Sequence, residues 1–139
     1  MPIEEFKAVD WKPFRKAFPV LFGARRITSL DAGEGWRTLL WDLCVALEAR
    51  AQTQIANDEE PIRVVQVKQK FGGLRCYLNR HDEIADCLID AAEAIAEKTC
   101  EACGALAKAR RIEGWISTFC PKHVELALDY EIWRLNKDP

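Results

Sequence analysis

The pattern of apolar and polar positions predicts one long amphipathic helix in the first half of the chain. Between residues 35 and 55, apolar side chains recur every three or four positions, the spacing that puts them on one helical face. The stripe consists of Trp36, Leu39, Leu40, Leu43, Cys44, Leu47 and Ala51. Prolines and glycines interrupt residues 1–34, so only short helices or turns are predicted there.

A second helix is predicted from Asp82 to about Lys98. Acidic side chains crowd its first turns, where they interact favourably with the helix dipole. The side chains predicted to be buried are Ile84, Cys87, Leu88, Ala91 and Ile95. A last helix is predicted from about Pro121 to Asn136, because proline suits the first helical position.

Two β-hairpins are predicted between and after these helices. Residues 56–61 are polar and form a loop, and residues 62–80 place β-branched and aromatic side chains on both sides of Gly72-Gly73. Residues 105–119 form the second hairpin, with its turn at Glu113-Gly114. The order of elements indicates an α+β fold in which a small β-hairpin or sheet packs with helices.

Four side chains near the C-terminus have the spacing of a metal site. Cys100 and Cys103 form a Cys-x2-Cys pair, and sixteen residues later Cys120 and His123 form a Cys-x2-His pair. Two close pairs of thiolate and imidazole ligands suit tetrahedral zinc. Gly104, directly after the first pair, permits the positive φ that turns backbone amides toward the thiolates. A cysteine knuckle, a hairpin and a second pair on the first turn of a helix form the layout called a treble clef. We therefore predict a C-terminal treble-clef-like zinc module.

Other roles for the cysteines fit the sequence less well. A thioredoxin-like pair opens a helix after a buried strand, whereas this pair follows a helix, and a c-type haem site needs histidine where Gly104 stands. Four protein ligands also leave no open position for catalysis. His81 is the one spare histidine for a nuclease, and it is interpreted as an exposed or capping residue. Cys44, Cys76 and Cys87 are interpreted as core residues.

Composition narrows the class of protein. The chain has 139 residues, a net charge of −2, 49% hydrophobic and 30% charged residues, which is typical of a globular protein and not of a basic nucleic-acid binder. No apolar run is long enough to span a membrane, and the mixed, acidic N-terminus does not resemble a signal peptide. We expect a cytoplasmic protein without membrane association, with an α+β body at residues 1–98 and the zinc module at residues 99–139.

The first hairpin is unusually basic for a chain with a small negative charge. Its candidate binding surface consists of Arg63, Lys68, Lys70, Phe71, Arg75, Tyr77 and Arg80. Cations beside aromatic rings can bind phosphate groups, a nucleotide or an acidic protein surface. A solvated hairpin edge, whose lysines prevent pairing with other strands, explains the same residues.

Four segments in the same order resemble a family of small phage, prophage and bacterial proteins. They are "GWRTLLWDL", "VVQVKQKFGGLRCYL", "DAAEAIAEKTCEACGA" and "GWISTFCPKH", within about residues 18–123. The family pattern is QVKxKFGxLRFY…CExCG…GWxxTxCxxH, and the four zinc ligands match its cysteine and histidine positions. The chain departs from it at Cys76, where an aromatic residue is usual, and at Ala105-Leu106, where the family has Pro-Gly. The resemblance implies a phage or prophage setting and no particular activity.

Three functions remain open from the sequence. The first is a non-enzymatic, zinc-stabilised binding protein that acts on a host protein, including a component of a defence system. The second is a nucleic-acid or nucleotide binder that uses the hairpin at residues 61–80. The third is a metal-dependent nuclease.

Overall fold

The structure is a computed structural model that describes residues 7–112 and 114–124. Its regular elements are α1 (Lys12–Ala17), β1 (Ser29–Leu30), a 3-10 turn (Glu34–Trp36), α2 (Arg37–Ala56), β2 (Val64–Lys70), β3 (Gly73–Leu78), α3 (Glu83–Ala96), β4 (Lys108–Ile112) and β5 (Trp115–Phe119). The predicted α+β class is confirmed. Residues 121–124 are also helical, and the rest of the predicted last helix lies outside the described residues.

The first hairpin supplies two strands of a three-stranded sheet with the order β1-β2-β3, in which β2 is the central strand. β2 and β3 pair antiparallel, and Gly72 in the connecting turn has a φ of +79°, which glycine adopts without strain. The sequence pattern did not predict β1. This strand has only two residues, Ser29 and Leu30, and it pairs parallel to β2, so its existence depends on a long-range contact.

The stripe predicted for the first helix is confirmed. All seven of its side chains are buried, and Trp36, Leu47 and Ala51 are completely inaccessible to solvent. They belong to one hydrophobic core that also contains Val67 and Leu74 of the sheet. Ring contacts tie the N-terminal segment to this core; they involve Trp11, Phe14, Phe18, Phe22 and Trp41.

The stripe predicted for α3 is wrong except at Leu88, which is partly buried against the core. The buried side chains are Ala85, Ile89, Ala92 and Ala96, whereas Ile84 and Ile95 are 53% and 55% exposed and Cys87 and Ala91 are also exposed. The apolar arc of this helix is wider than the surface its neighbours cover, and most of the buried positions are alanines, which allow close helix packing. Of the three cysteines interpreted as core, Cys44 is buried, Cys76 is partly buried and Cys87 is not in the core.

Asp82 connects the start of α3 to α2. Its carboxylate accepts hydrogen bonds of 3.1 and 2.9 Å from the Arg50 guanidinium and one of 3.3 Å from the side chain of Gln54. It also caps α3 by accepting a 2.9 Å hydrogen bond from the Ala85 amide. The hydrogen bonds from Arg50 lower the pKa of Asp82, although its burial acts in the opposite direction.

We expect the Asp82→Ala variant to lose about 2–3 kcal/mol of unfolding free energy, because Arg50 and Gln54 lose charge-assisted hydrogen bonds and α3 loses its cap. The lowered pKa also gives a pH dependence. The native pair stabilises the fold above the unfolded pKa of aspartate, about 3.9, and this contribution is lost as the pH falls through the lower native pKa.

Urea unfolding at several pH values measures both effects. The exposed Asp90→Ala on the same helix is the control, with an expected change within about 0.5 kcal/mol. An Asp82→Ala chain as stable as the wild type at neutral pH would contradict the assigned role.

The second predicted hairpin is also present. β4 and β5 pair antiparallel from Lys108 opposite Phe119 to Ile112 opposite Trp115, and Gly114 in the turn has a φ of +84°. Among the described residues, no helix is both long and apolar enough to cross a membrane.

Candidate metal centre

The four predicted ligands converge on one point. The ligand atoms of Cys100, Cys103, Cys120 and His123 all lie within 4.8 Å of one another. Cys100, Cys120 and His123 are buried, whereas Cys103 is exposed. Residues from two hairpin-linked segments therefore form a single cluster that can bind a metal ion.

Three of the six distances between these atoms are close to those of tetrahedral coordination. A metal with sulfur bonds of about 2.3 Å and nitrogen bonds of about 2.0 Å requires sulfur–sulfur edges of about 3.8 Å and sulfur–nitrogen edges of about 3.5 Å. The Sγ atoms of Cys103 and Cys120 are 3.7 Å apart. The His123 Nδ1 atom lies 3.8 Å from Cys100 Sγ and 3.2 Å from Cys120 Sγ. The cluster thus has the size that a bound ion needs.

Local backbone structure holds each pair in place. Gly104 has a φ of +84°, as expected for the residue after the first pair, and its amide donates a 2.9 Å hydrogen bond to the carbonyl of Cys100. The second pair lies on the first helical turn of residues 121–124, where the Val124 amide donates to the Cys120 carbonyl. These features agree with the predicted arrangement, and the treble-clef assignment itself stays a prediction.

The thiols of the cluster differ in acidity. Burial favours the neutral form of Cys120, but hydrogen bonds with His123 and with the neighbouring thiols outweigh it and lower the pKa to about 6. Burial raises the pKa of Cys100 to about 11, partly offset by backbone hydrogen bonds. Metal binding displaces the protons of such thiols, since the thiolate is the ligand.

Hydrogen bonds from residues 33–36 hold the segment that carries the first cysteine pair against the body of the protein. The carboxylate of Glu101 accepts a 3.0 Å hydrogen bond from the Gly33 amide, and its carbonyl accepts one of 2.8 Å from the Gly35 amide. The Trp36 indole donates a 2.8 Å hydrogen bond to the carbonyl of Thr99. Burial raises the pKa of Glu101 to about 7, and the Gly33 amide opposes that shift.

Gly35 is a site residue that the sequence analysis missed. A Cβ atom at this position would lie 2.1 Å from the Cys100 carbonyl oxygen, 2.6 Å from the Gly104 nitrogen and 2.7 Å from the Cys103 nitrogen. The two backbones therefore approach so closely that only glycine fits. The sequence assigned Gly35 to the start of a helix, and no local pattern indicates that it touches a segment more than sixty residues away.

The second hairpin also contacts the tip of the first. The Thr118 hydroxyl, which is buried, donates a 2.6 Å hydrogen bond to the Gly72 carbonyl. A Cβ atom at Gly72 would lie 3.2 Å from the side chain of Ile116. The tip of the first hairpin therefore contacts the second hairpin directly.

The candidate binding surface divides into two groups. Lys68 pairs directly with Arg75 across β2 and β3, whereas the adjacent Val67 and Leu74 are buried. Because side chains alternate between the faces of a strand, Lys68, Arg75 and the half-exposed Tyr77 belong to the outer face of the sheet. The ammonium group of Lys68 lies 5.6 Å from the Tyr77 ring centroid. At the tip, Lys70 lies 5.7 Å from the ring of Phe71, which is 71% exposed.

The arginines of this surface have partners within the protein. Arg63 donates to the carbonyl of Val20 at 2.9 Å, and Arg80 donates to the carbonyl of Glu60. Arg75 forms a 3.4 Å ion pair with Glu93.

His81 lies away from the metal cluster at the exposed start of α3. Its Nδ1 atom is 3.0 Å from a carboxylate oxygen of Asp86, and its side chain is 76% exposed. This position agrees with its interpretation as an exposed residue. The nuclease hypothesis stays a prediction without support from the site.

Comparison with known proteins adds no relative to this description: no family model, curated protein or solved structure matches the chain. The phage-family resemblance therefore stays a prediction. What can be concluded about function depends on the geometry of the α+β body and of its Cys3His cluster, which can bind a metal ion.

Proposed function

We propose that the chain is a non-enzymatic, zinc-stabilised binding protein that acts on a host macromolecule. The convergence of four protein ligand atoms within 4.8 Å carries this proposal. A tetrahedral ion held by four protein ligands has no open position for water or substrate, which is the arrangement of structural rather than catalytic sites.

Zinc is the ion that this donor set suits best. Three thiolates and one imidazole are soft and borderline ligands, and tetrahedral sulfur–nitrogen sites are typical of zinc. Burial of three ligands also protects the ion from exchange with solvent. Elemental analysis of the purified chain should find one zinc ion per molecule, and a different metal in that ratio would contradict the assignment.

The proposed partner is a host protein. Because the chain resembles phage proteins, we propose that this partner is a component of a bacterial defence system. The test expresses the tagged chain in a bacterium and measures two things: the proteins that co-purify, and the plating efficiency of a phage that the host restricts. We expect one specific host protein and a rise in plating efficiency. A chain that purifies alone and leaves restriction intact would contradict this function.

Nucleic-acid or nucleotide binding by the outer face of the sheet is the second candidate. The observation in its favour is that Lys68, Arg75 and Tyr77 share one face, where cations can bind phosphates and an aromatic ring can stack on a base. Fluorescence anisotropy with labelled single-stranded DNA and RNA tests it across salt concentrations. Lys68→Ala should weaken binding and reduce the salt slope by about 1, whereas Lys16→Ala on α1 should not. No detectable binding at low salt would exclude this candidate.

A further inference from the structure

A groove of about 640 Å³ runs between α2 and α3 and ends at the metal centre. The two helices are antiparallel, because Arg50 near the end of α2 contacts Asp82 at the start of α3 and Trp36 contacts Thr99 beyond its end. The lining residues are Glu34, Gly35, Thr38, Leu39, Asp42, Leu43, Ala46, Leu88, Ala91, Ala92, Ile95, Thr99, Cys103 and Gly104.

The α3 side of this groove is the apolar stripe that the sequence predicted to be buried. Leu88, Ala91 and Ile95 belong to that stripe and line the groove. Ile95 is 55% exposed, and Ile84, about three helical turns earlier on the same stripe, is 53% exposed. A continuous apolar strip of this kind is typical of a surface that a partner covers.

The charged side chains that line the groove are all acidic. The lining contains two carboxylates, Glu34 and Asp42, and no cationic side chain. Glu34 makes only a long ion pair of 3.9 Å with Arg37, and within the described part of the chain no ion pair or side-chain hydrogen bond engages Asp42. The groove therefore complements a ligand that is apolar at its centre and positively charged at its margins.

The length of the groove matches a short helix. From Thr38 to Ala46 the α2 wall advances eight residues, or about 12 Å. A helix that presents apolar side chains at positions i, i+4 and i+7 spans about 10 Å between the outer two. Insertion of such a helix between two others is a recurring mode of peptide recognition.

We propose that this groove binds an amphipathic helix of a partner protein. Its apolar side chains contact Leu39, Leu88, Ala91 and Ile95, and its lysine or arginine side chains lie against Asp42 and Glu34. The inference rests on the proposed function and names the class of partner. Nucleic acid is the poorer occupant of this surface, because the carboxylates repel phosphate groups.

The metal centre has a part in this site because it forms one end of the groove. Cys103 and Gly104 line the groove and belong to the metal-binding knuckle. The Gly35 amide joins this knuckle to the body through its hydrogen bond to the Glu101 carbonyl. Removal of the ion releases the wall at that end. Helix binding should therefore weaken when zinc is removed, which gives the structural metal a role in recognition.

The probe for this proposal is a peptide selected from a displayed library of helical peptides against the full, zinc-loaded chain. We expect the selected peptides to carry apolar residues at i, i+4 and i+7 and lysine or arginine beside them. Binding of the best synthetic peptide is then measured by fluorescence polarisation. Ala91→Arg, which fills the floor with a long cationic side chain, should weaken binding at least about tenfold.

Matched controls locate the site and its charge preference. Ala94→Arg places the same change on an exposed position of α3 outside the groove, and it should leave binding unchanged. Asp42→Lys should lower the affinity for the basic peptide and raise it for the same peptide with glutamate in place of lysine, whereas Asp90→Lys should do neither. Selected peptides without a charge preference, or equal binding to Ala91→Arg, would overturn the proposal.

A photo-crosslinking residue in place of Ala91 distinguishes a helical partner from other occupants of the groove, because the crosslinked product identifies what lies there. A crosslink between two copies, or one to another segment of the same chain, would overturn the proposal.

The selected peptide also separates the failure of this inference from the failure of the proposed function. If a host protein co-purifies but the selected peptide does not displace it, the groove is not its binding site and the proposed function stands. If displacement occurs, the crosslinked segment of the partner should be a basic amphipathic helix.

Discussion

Replacement of Cys120 by serine is expected to remove the metal and to unfold the C-terminal module while the body remains folded. Structural zinc supplies about 10–16 kcal/mol of apparent binding free energy in small modules, or about 2.5–4 kcal/mol for each of four ligands. Loss of one thiolate should therefore lower the metal affinity by roughly 100- to 1000-fold.

We expect the module to depend on the ion because its own apolar core is very small. The three buried members of that cluster are Cys100, Phe119 and Cys120, two of which are ligands. The body has a separate and much larger core that joins α2, α3 and the sheet. Without the ion, little buried apolar surface remains to offset the conformational entropy of ordering the module.

Elemental analysis and hydrogen exchange measure this result. In Cys120→Ser, amides of residues 100–112 and 114–124 should lose protection, whereas amides in the middle of α2 should keep it. Cys87→Ser changes an exposed cysteine outside the cluster, so it should retain one ion per chain and wild-type protection. Full metal content in Cys120→Ser would show that the cluster is not the metal site.

Replacement of Gly35 by alanine is expected to separate the body from the cysteine knuckle. The new Cβ atom would lie 2.1 Å from the Cys100 carbonyl oxygen, and backbone atoms on both sides prevent a local adjustment. Overpacking of this severity costs about 3 kcal/mol. Because the strain disappears when the knuckle moves away, we expect a loss of about 100-fold in metal affinity together with lower thermal stability.

The matched control is Gly73→Ala, where the closest atom to a new Cβ is the end of the flexible Arg75 side chain at 2.9 Å and the next is the Lys70 carbonyl oxygen at 3.5 Å. That variant should bind metal as the wild type does. Competition with a chromophoric chelator compares the affinities, and hydrogen exchange of the backbone amide at position 35 reports whether it still donates to the Glu101 carbonyl of the knuckle. Equal affinities for the two variants would refute the tight contact at Gly35.

These two variants address different parts of one arrangement. The ligand variant tests whether the ion holds the module together, and the glycine variant tests whether the body holds the ion's first pair of ligands. If both results hold, the body and the ion together keep the module folded, and the groove at their boundary depends on the metal. Peptide binding by each variant would then connect stability to recognition.

Local patterns along the chain are sufficient to predict most of the secondary structure and the four side chains of the candidate metal site. The stripe of α2, both hairpins and the positive φ of Gly104 follow from periodicity and turn chemistry, which act over a few residues. The side chains of Cys100, Cys103, Cys120 and His123 are predictable as a cluster because two close pairs have the spacing typical of tetrahedral zinc sites.

Long-range packing determines which apolar surface is covered and which distant backbone segments come into contact. On α3, two overlapping arcs satisfied the helical period, and packing against α2 and β3 buried the one with small side chains. The contacts of Gly35 with the knuckle, of β1 with β2 and of Thr118 with Gly72 join segments far apart in sequence. Such contacts depend on the free energy of the whole fold, so a local pattern cannot specify them.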